Sequence, residues 1–204
     1  MIRELVLATR NRDKGAELSA LLEDLGISIK TLDEFPNAPD VAEDGETCEA
    51  NAVKKARAIA EYTRLPAAAD DTGLEVDALG GRPGVYAARY AGEHVTYEDN
   101  WRKLLRELSG VPPERRTARF LTVAAVAIPG GGVQTATGVL EGRITEHPAG
   151  NRGFGYDPVF LVPETGKTLA ELSPEEKNRI SHRAKAFAQV RKMLAIQRCL
   201  PFKG

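Results

Sequence analysis

The chain has 204 residues, with 28 Lys and Arg against 29 Asp and Glu and a formal net charge of −1. That near balance excludes the strong basic excess of a dedicated nucleic-acid binder, and a chain of this length can bury one sizeable core or two small lobes. The two cysteines, Cys48 and Cys199, lie too far apart in sequence to suggest a disulfide framework or a CxxC metal knuckle, which suits a reducing compartment.

Membrane spanning is not expected. The longest apolar run, Phe120 to Ile128, is interrupted by Thr122 and falls far short of the roughly 20 residues a span needs. The opening stretch from Met1 to Thr9 is too short in apolar length and too acidic for a signal peptide. The expectation is a soluble cytoplasmic protein with neither a membrane nor a nucleic acid as partner.

In chain order, Leu5 to Ala8 predicts a short buried strand running into Thr9-Arg10-Asn11. Leu18, Leu21, Leu22 and Leu25 then recur at helical spacing over Asp13–Leu25, and Gly26 closes that helix. Ile27 to Leu32 alternates like a half-buried strand, so the opening is strand, helix, strand. Asp33 to Gly45 is an acidic loop with prolines, followed by an Ala- and Lys-rich helix over about Thr47–Thr63 and a break at Pro66.

Ala67-Ala68-Ala69 leads into Asp70-Asp71-Thr72-Gly73, which predicts a turn at a strand's carboxyl end before the alternating Leu74–Leu79. Gly80 to Gly84 predicts a long turn cluster. A helix over Tyr97–Leu108 opens with Thr96 and Asp99 in capping-box spacing. Pro112-Pro113 is the nearest thing to an internal boundary; beyond it, Thr117–Ile128 and Val133–Ile144 predict two strands joined through Pro129-Gly130-Gly131-Gly132. The last helix starts at Ser173-Pro174-Glu175-Glu176 and continues toward Leu194, with a break near Ser181-His182. The expected fold is α/β, a mixed sheet wrapped by helices, without internal repeats or an independent second domain.

Several segments carry chemistry. Gly153-Phe154-Gly155-Tyr156-Asp157-Pro158 brackets an aromatic ring with glycines, so the backbone can turn sharply and approach a flat ligand. Asp70-Asp71 places two carboxylates on opposite faces of extended chain, one able to point into a site while the other supports it. Adjacent carboxylates need compensation, and Mg²⁺, which prefers oxygen ligands and keeps waters beside a substrate phosphate, is the natural cation. Glu43 could add a third carboxylate. Thr9-Arg10-Asn11-Arg12-Asp13-Lys14 joins strand to helix, offering free N–H groups and a lysine to an anion. Lys55, Lys177, Ser181, His182 and Arg183 gather further donors. Gly166-Lys167-Thr168 is no P-loop, because the pattern's first glycine would fall on Leu161.

In order and spacing, these segments resemble the inosine/xanthosine triphosphate pyrophosphatase family. The resemblance rests on Leu7-Ala8-Thr9-Arg10-Asn11, Glu49-Ala50-Asn51-Ala52-Val53-Lys54-Lys55-Ala56 and the stretches Ala69–Asp77 and Pro83–Tyr90. It continues through Gly153–Phe160, Lys167–Leu172 and Glu176–Arg183. It implies a single pyrophosphatase domain over 1–204, with an elongated mixed sheet flanked by helices and two lobes around a central nucleotide cleft, usually as a homodimer. The implied reaction converts ITP, dITP or XTP to the nucleoside monophosphate and pyrophosphate with Mg²⁺.

By the same resemblance, Asp71 is the general base and a metal ligand, with Glu43 and Asp70 as metal or supporting carboxylates. Thr9, Asn11, Lys14 and Thr72 go to the phosphates, with Lys14 and Lys55 neutralising charge, and Arg10, Arg12 and Asp13 are counted with them as substrate-binding residues. Phe154 stacks on the base within Phe154-Gly155-Tyr156-Asp157, and Lys177, Ser181, His182 and Arg183 surround it, Arg183 being aimed at the purine carbonyl. Thr72 stands where many members have serine, and Arg10 where a small residue is common. The alternatives are a related nucleotide pyrophosphatase with another base preference, or a non-catalytic nucleotide-binding protein.

Overall fold

Strand β1, Glu4–Leu7, buries Leu5, Val6 and Leu7 completely. Helix α1, Arg12–Leu22, follows it and tightens into a 3₁₀ turn over Glu23–Leu25. Gly26 closes that turn in the left-handed region, at φ 60°, where a side chain would be strained. Strand β2, Ser28–Thr31, returns parallel to β1, and helix α2, Cys48–Thr63, is capped by Thr47. Strand β3, Ala67–Val76, then pairs parallel to β1 on its other side. Each parallel return is made through a helix, as parallel pairing requires.

Strand β4, Pro83–Gly84, pairs antiparallel with β3. Helix α3, Tyr97–Glu107, carries the Thr96–Asp99 capping box. The long neighbouring strands β5, Thr117–Ala127, and β6, Val133–Ile144, are joined by a tight turn in which the Gly131 N–H donates to the Ile128 carbonyl. Strand β7, Phe160–Val162, pairs antiparallel with β6, and β8, Lys167–Thr168, pairs antiparallel with β7. Helix α4, Pro174–Ile180, stops at Ser181, and α5 spans His182–Cys199. The eight strands run β2-β1-β3-β5-β6-β7-β8, with β4 against β3. This is the mixed α/β class expected from the sequence.

This computed structural model describes residues 2–199, without the side chains of 196–199. Met1 and the Cys199 side chain, both used in the sequence reading, fall outside it. Among the described residues no helix is long and apolar enough to cross a membrane.

Two compact units are present. The first takes in the chain up to Asp71, Thr122–Gly138 and the chain from Arg183 on; the second comprises Thr72–Leu121 and Val139–His182. Leu5, Leu7, Leu18, Leu22, Phe187 and Val190 are central to the first core, and Leu74, Leu104, Phe120, Phe160 and Leu169 to the second.

Three expectations are corrected. Asp70 to Gly73 is not a turn at a strand end but the middle of β3, because cations from distant elements meet the carboxylates inside the fold. Pro112-Pro113 is no boundary; it leads into a 3₁₀ turn within the second unit, and the chain passes between units inside β3, β5 and β6 and at the start of α5. The Gly80–Gly84 cluster is partly strand, since Pro83 and Gly84 pair with Glu75 and Leu74.

Candidate active site

The first unit concentrates charge around β3. Asp70 is 1% exposed, and its Oδ2 accepts from the Arg183 Nε at 3.1 Å and lies 3.5 Å from the Lys14 Nζ. Arg183 also reaches Glu17 through Nη1 at 2.5 Å, tying the start of α5 to α1. Burial disfavours the Asp70 charge, but Lys14, Arg183 and Lys55 outweigh it and hold this carboxyl far below the usual range.

Lys14 is positioned by the start of α1. The Asn11 Oδ1 caps that helix by accepting from the Lys14 N–H at 3.1 Å, and the Thr9 Oγ1 accepts from the Asn11 N–H at 3.2 Å. Arg10 is exposed and donates to the Ala38 carbonyl at 2.7 Å; Arg12 and Asp13 are exposed in the first turn. A cavity of about 260 Å³ opens against this turn, lined in part by Thr9, Arg10, Asn11, Arg12 and Gly15.

Asp71 has different company. Its Oδ2 accepts from the Asn51 Nδ2 at 3.0 Å, and its Oδ1 lies 3.9 Å from the Lys55 Nζ. Lys55 also donates to the Glu43 carboxylate and, at 2.6 Å, to the Asp70 carbonyl. Burial raises the Asp71 pKa above its ordinary value, with Lys55 and Asn51 only partly offsetting it. The Glu43 pKa is lowered against its own desolvation by Lys55. Desolvation works against the Lys55 charge, yet Asp70, Glu43 and Asp71 together raise its pKa. Neighbouring carboxylates on one strand are thus driven apart, Asp70 firmly ionised and Asp71 made more basic.

Among the described residues, no group of three His, Cys, Asp or Glu side chains could hold a metal by itself. The donor chemistry still fits Mg²⁺. Asp71 and Glu43 present carboxylate oxygens to one shared cation, the Lys55 ammonium, and Mg²⁺ is commonly bound by one or two carboxylates together with substrate phosphate and water.

The second unit holds the aromatic loop. The Asp157 Oδ2 accepts from the Phe154 N–H at 3.0 Å and from the Lys177 Nζ at 2.5 Å. The Lys177 ammonium lies 5.0 Å from the centroid of the Phe154 ring, and Tyr97 packs at a tilt with centroids 5.8 Å apart. Gly153, at φ 72°, is doubly constrained, because an added Cβ would fall on the Asp157 carboxylate; Gly155, at φ 65°, has open space around it. The Tyr156 hydroxyl donates to the Ala87 carbonyl at 2.9 Å and anchors the loop. Ser181, which ends α4, is buried, and the His182 ring stacks on Phe120 with centroids 4.5 Å apart.

The structure therefore brings together Lys14, Asp70 and Arg183, then Glu43, Lys55 and Asp71, and separately Phe154, Asp157 and Lys177. Arg183, expected beside a purine carbonyl, places its guanidinium on Asp70 and Glu17. Thr72 is partly buried and is the first residue of the second unit. Sequence reasoning gave no role to Asn51, Glu17 or Cys48. Only Asn51 left a signal: an amide in the interior of an Ala- and Lys-rich helix costs helix propensity.

Comparison with known proteins agrees with the motifs. A family model described as the Ham1 family matches residues 5–193. A Geobacillus kaustophilus protein named dITP/XTP pyrophosphatase is 56% identical over 189 residues, covering 93% of each chain. A solved HAM1 protein from Coxiella burnetii superposes with a TM-score of 0.86 at 43% identity, over 96% of this chain and 99% of that one. The Staphylococcus aureus Ham1 protein gives a TM-score of 0.84 at 38% identity, over 95% and 99%.

Proposed function

Because the chain belongs to the Ham1 family, we propose that it is a hydrolase that converts non-standard purine nucleoside triphosphates, ITP, dITP and XTP, to the nucleoside monophosphate and pyrophosphate. The observation that carries this is the division between Asp70, held ionised by Lys14 and Arg183, and Asp71, made more basic beside Lys55 and Glu43. Relatives bearing the name dITP/XTP pyrophosphatase support the substrate class.

Asp71 is assigned as the general base, taking a proton from the water that cleaves the α–β phosphoanhydride. A raised carboxylate pKa suits that task, since proton transfer is most effective when the base is not too weak at working pH. Asp71 and Glu43 would hold Mg²⁺, which when bound offsets charge on the phosphates. Lys14, Lys55, Thr72 and the Thr9–Lys14 turn align and neutralise the triphosphate, where most of the catalytic benefit in phosphoryl chemistry lies. Asp70 supports this centre through its ion pairs.

Phe154 offers a stacking surface to the base, and Asp157 braces it while holding Lys177 beside it. Lys177 and His182 are the donors for the base edge, with Ser181 ending α4 between them. Arg183 is assigned to the base carbonyl on the strength of the family motif, beside its brace on Asp70 and Glu17. Adenine would leave a donor aimed at that carbonyl unpaired, a mismatch that can be worth about 10⁴-fold in discrimination. The homodimer, the cytoplasmic location and the action of 1–204 as one domain belong to the same proposal.

The deciding experiment incubates the protein with ITP and Mg²⁺ and identifies the products. IMP with pyrophosphate is expected. IDP with phosphate, or no turnover, overturns the reading. Faster turnover of ATP, GTP or a pyrimidine triphosphate would instead assign another base preference.

A further inference from the structure

Asn51 stands in the interior of α2, 1% exposed, with both ends of its side-chain amide engaged. Its Oδ1 accepts from the Gly45 N–H at 2.8 Å, and its Nδ2 donates to the Asp71 Oδ2 at 3.0 Å. The partners fix the amide's orientation: an N–H requires the oxygen and a carboxylate requires the nitrogen. Gly45 lies two residues beyond Glu43 on the same acidic loop. One buried amide therefore connects the loop carrying Glu43 to the strand carrying Asp71.

A second observation is steric. A Cβ added at Gly45 would lie 2.7 Å from the Asn51 Oδ1 and 2.9 Å from the Ala50 Cβ, closer than real contacts allow. The loop approaches α2 as nearly as only glycine permits, and at the point where the amide takes hold.

Asn51 and Lys55 lie four residues apart, on one face of the helix. Lys55 attracts both carboxylates but tolerates a range of distances, as a point charge on a flexible stem does. The amide is directional. With Oδ2 of Asp71 held by Asn51, Oδ1 is the oxygen turned toward Lys55.

We infer that Asn51 is a positioning residue, a clamp that sets which oxygen of Asp71 faces the reacting groups and holds the Glu43 loop in register with it. This rests on the hydrolase reading above for its effect on rate, but the clamp itself is testable without turnover.

Two substitutions separate its arms. Asn51→Asp keeps an acceptor for the Gly45 N–H while placing a like charge against Asp71. Its kcat for ITP is expected to fall by about 10- to 100-fold, the size of a lost hydrogen bond to a charged group, with KM changed by less than about threefold and the Gly45 amide still protected from hydrogen exchange. Gly45→Ala leaves the Asn51–Asp71 bond but displaces the loop. The amide at position 45 is expected to exchange at least about tenfold faster while α2 stays protected, and half-maximal rate is expected to need more Mg²⁺. An Asn51→Asp protein with wild-type kcat, or a Gly45→Ala protein with unaltered exchange at position 45, overturns the clamp. If the wild-type protein itself fails to cleave ITP, the hydrolase reading falls, and the exchange measurement still decides whether the clamp exists.

Discussion

Asp70 and Arg183 form a buried ion pair, with the Nε 3.1 Å from Oδ2 and side chains 0% and 3% exposed. They are 113 residues apart in sequence. The pair explains how an ionised carboxylate can sit in mid-strand, and it sets the neighbouring Asp71 in contrast. Two carboxylates with opposed pKa shifts are what acid–base chemistry on one strand requires.

Removing one member of such a pair leaves the other's charge uncompensated. Asp70→Asn should therefore lower stability at neutral pH by about 3–5 kcal/mol. The sign of the pH dependence follows from the depressed Asp70 pKa: its stabilisation is fully present above the ordinary Asp pKa of about 3.9 and is lost only as pH falls through the lower folded value. Urea unfolding of both proteins at pH 7.5, 6 and 5 should give a constant gap. A gap that has vanished by pH 5 would assign the stabilisation to another group.

Asp71→Asn should lower ITP turnover by about 10³-fold, within the range for loss of a general base, while nucleotide binding measured by calorimetry persists. The Asn51 amide can still pair with the new side chain's oxygen, so the fold should hold. Turnover within about tenfold of wild type would remove Asp71 as the base.

The two glycines flanking Phe154 should respond differently. Gly155→Ala meets only the cost of a positive φ, about 1–2 kcal/mol. Gly153→Ala meets that cost and also drives a methyl into the Asp157 carboxylate, which holds both the Phe154 N–H and Lys177. Gly153→Ala should therefore lose more stability and raise KM for ITP more than Gly155→Ala. Equal effects in denaturant titration and kinetics would reduce Gly153 to an ordinary turn residue.

Cys48 should be inert. Burial, and next the charge of Asp71, push its thiol pKa up to about 12, so almost none is thiolate at pH 8 and alkylation should be slow. Peptide mass spectrometry after iodoacetamide treatment should find Cys48 modified in urea but scarcely in buffer. Rapid modification of the folded protein would contradict this burial.

The helices were legible because their signals are local. Leucine spacing marked α1, and the Thr96–Asp99 and Ser173–Glu176 boxes marked the starts of α3 and α4. The interruption at Ser181 was also readable. Strand β3 was not, because Asp-Asp-Thr-Gly has the composition of a turn and becomes strand only when Lys14 and Arg183 arrive from afar. Strands β4 and β8, with two residues each, carry no periodicity to detect. For the candidate site, residue types and order were readable as motifs, whereas partners were not. That Asp157 braces Phe154 and Lys177, and that Arg183 grips Asp70, are facts of tertiary geometry.

The unbroken course of β3 has an evolutionary consequence. Side chains on a strand alternate with a period of two, so inserting or deleting one residue within β3 ahead of Asp70 would turn each acidic side chain toward the other's surroundings. Asp71 would face Lys14 and Arg183, and Asp70 would face Asn51 and Lys55. Ala67-Ala68-Ala69, all completely buried, should therefore be closed to single-residue changes in length.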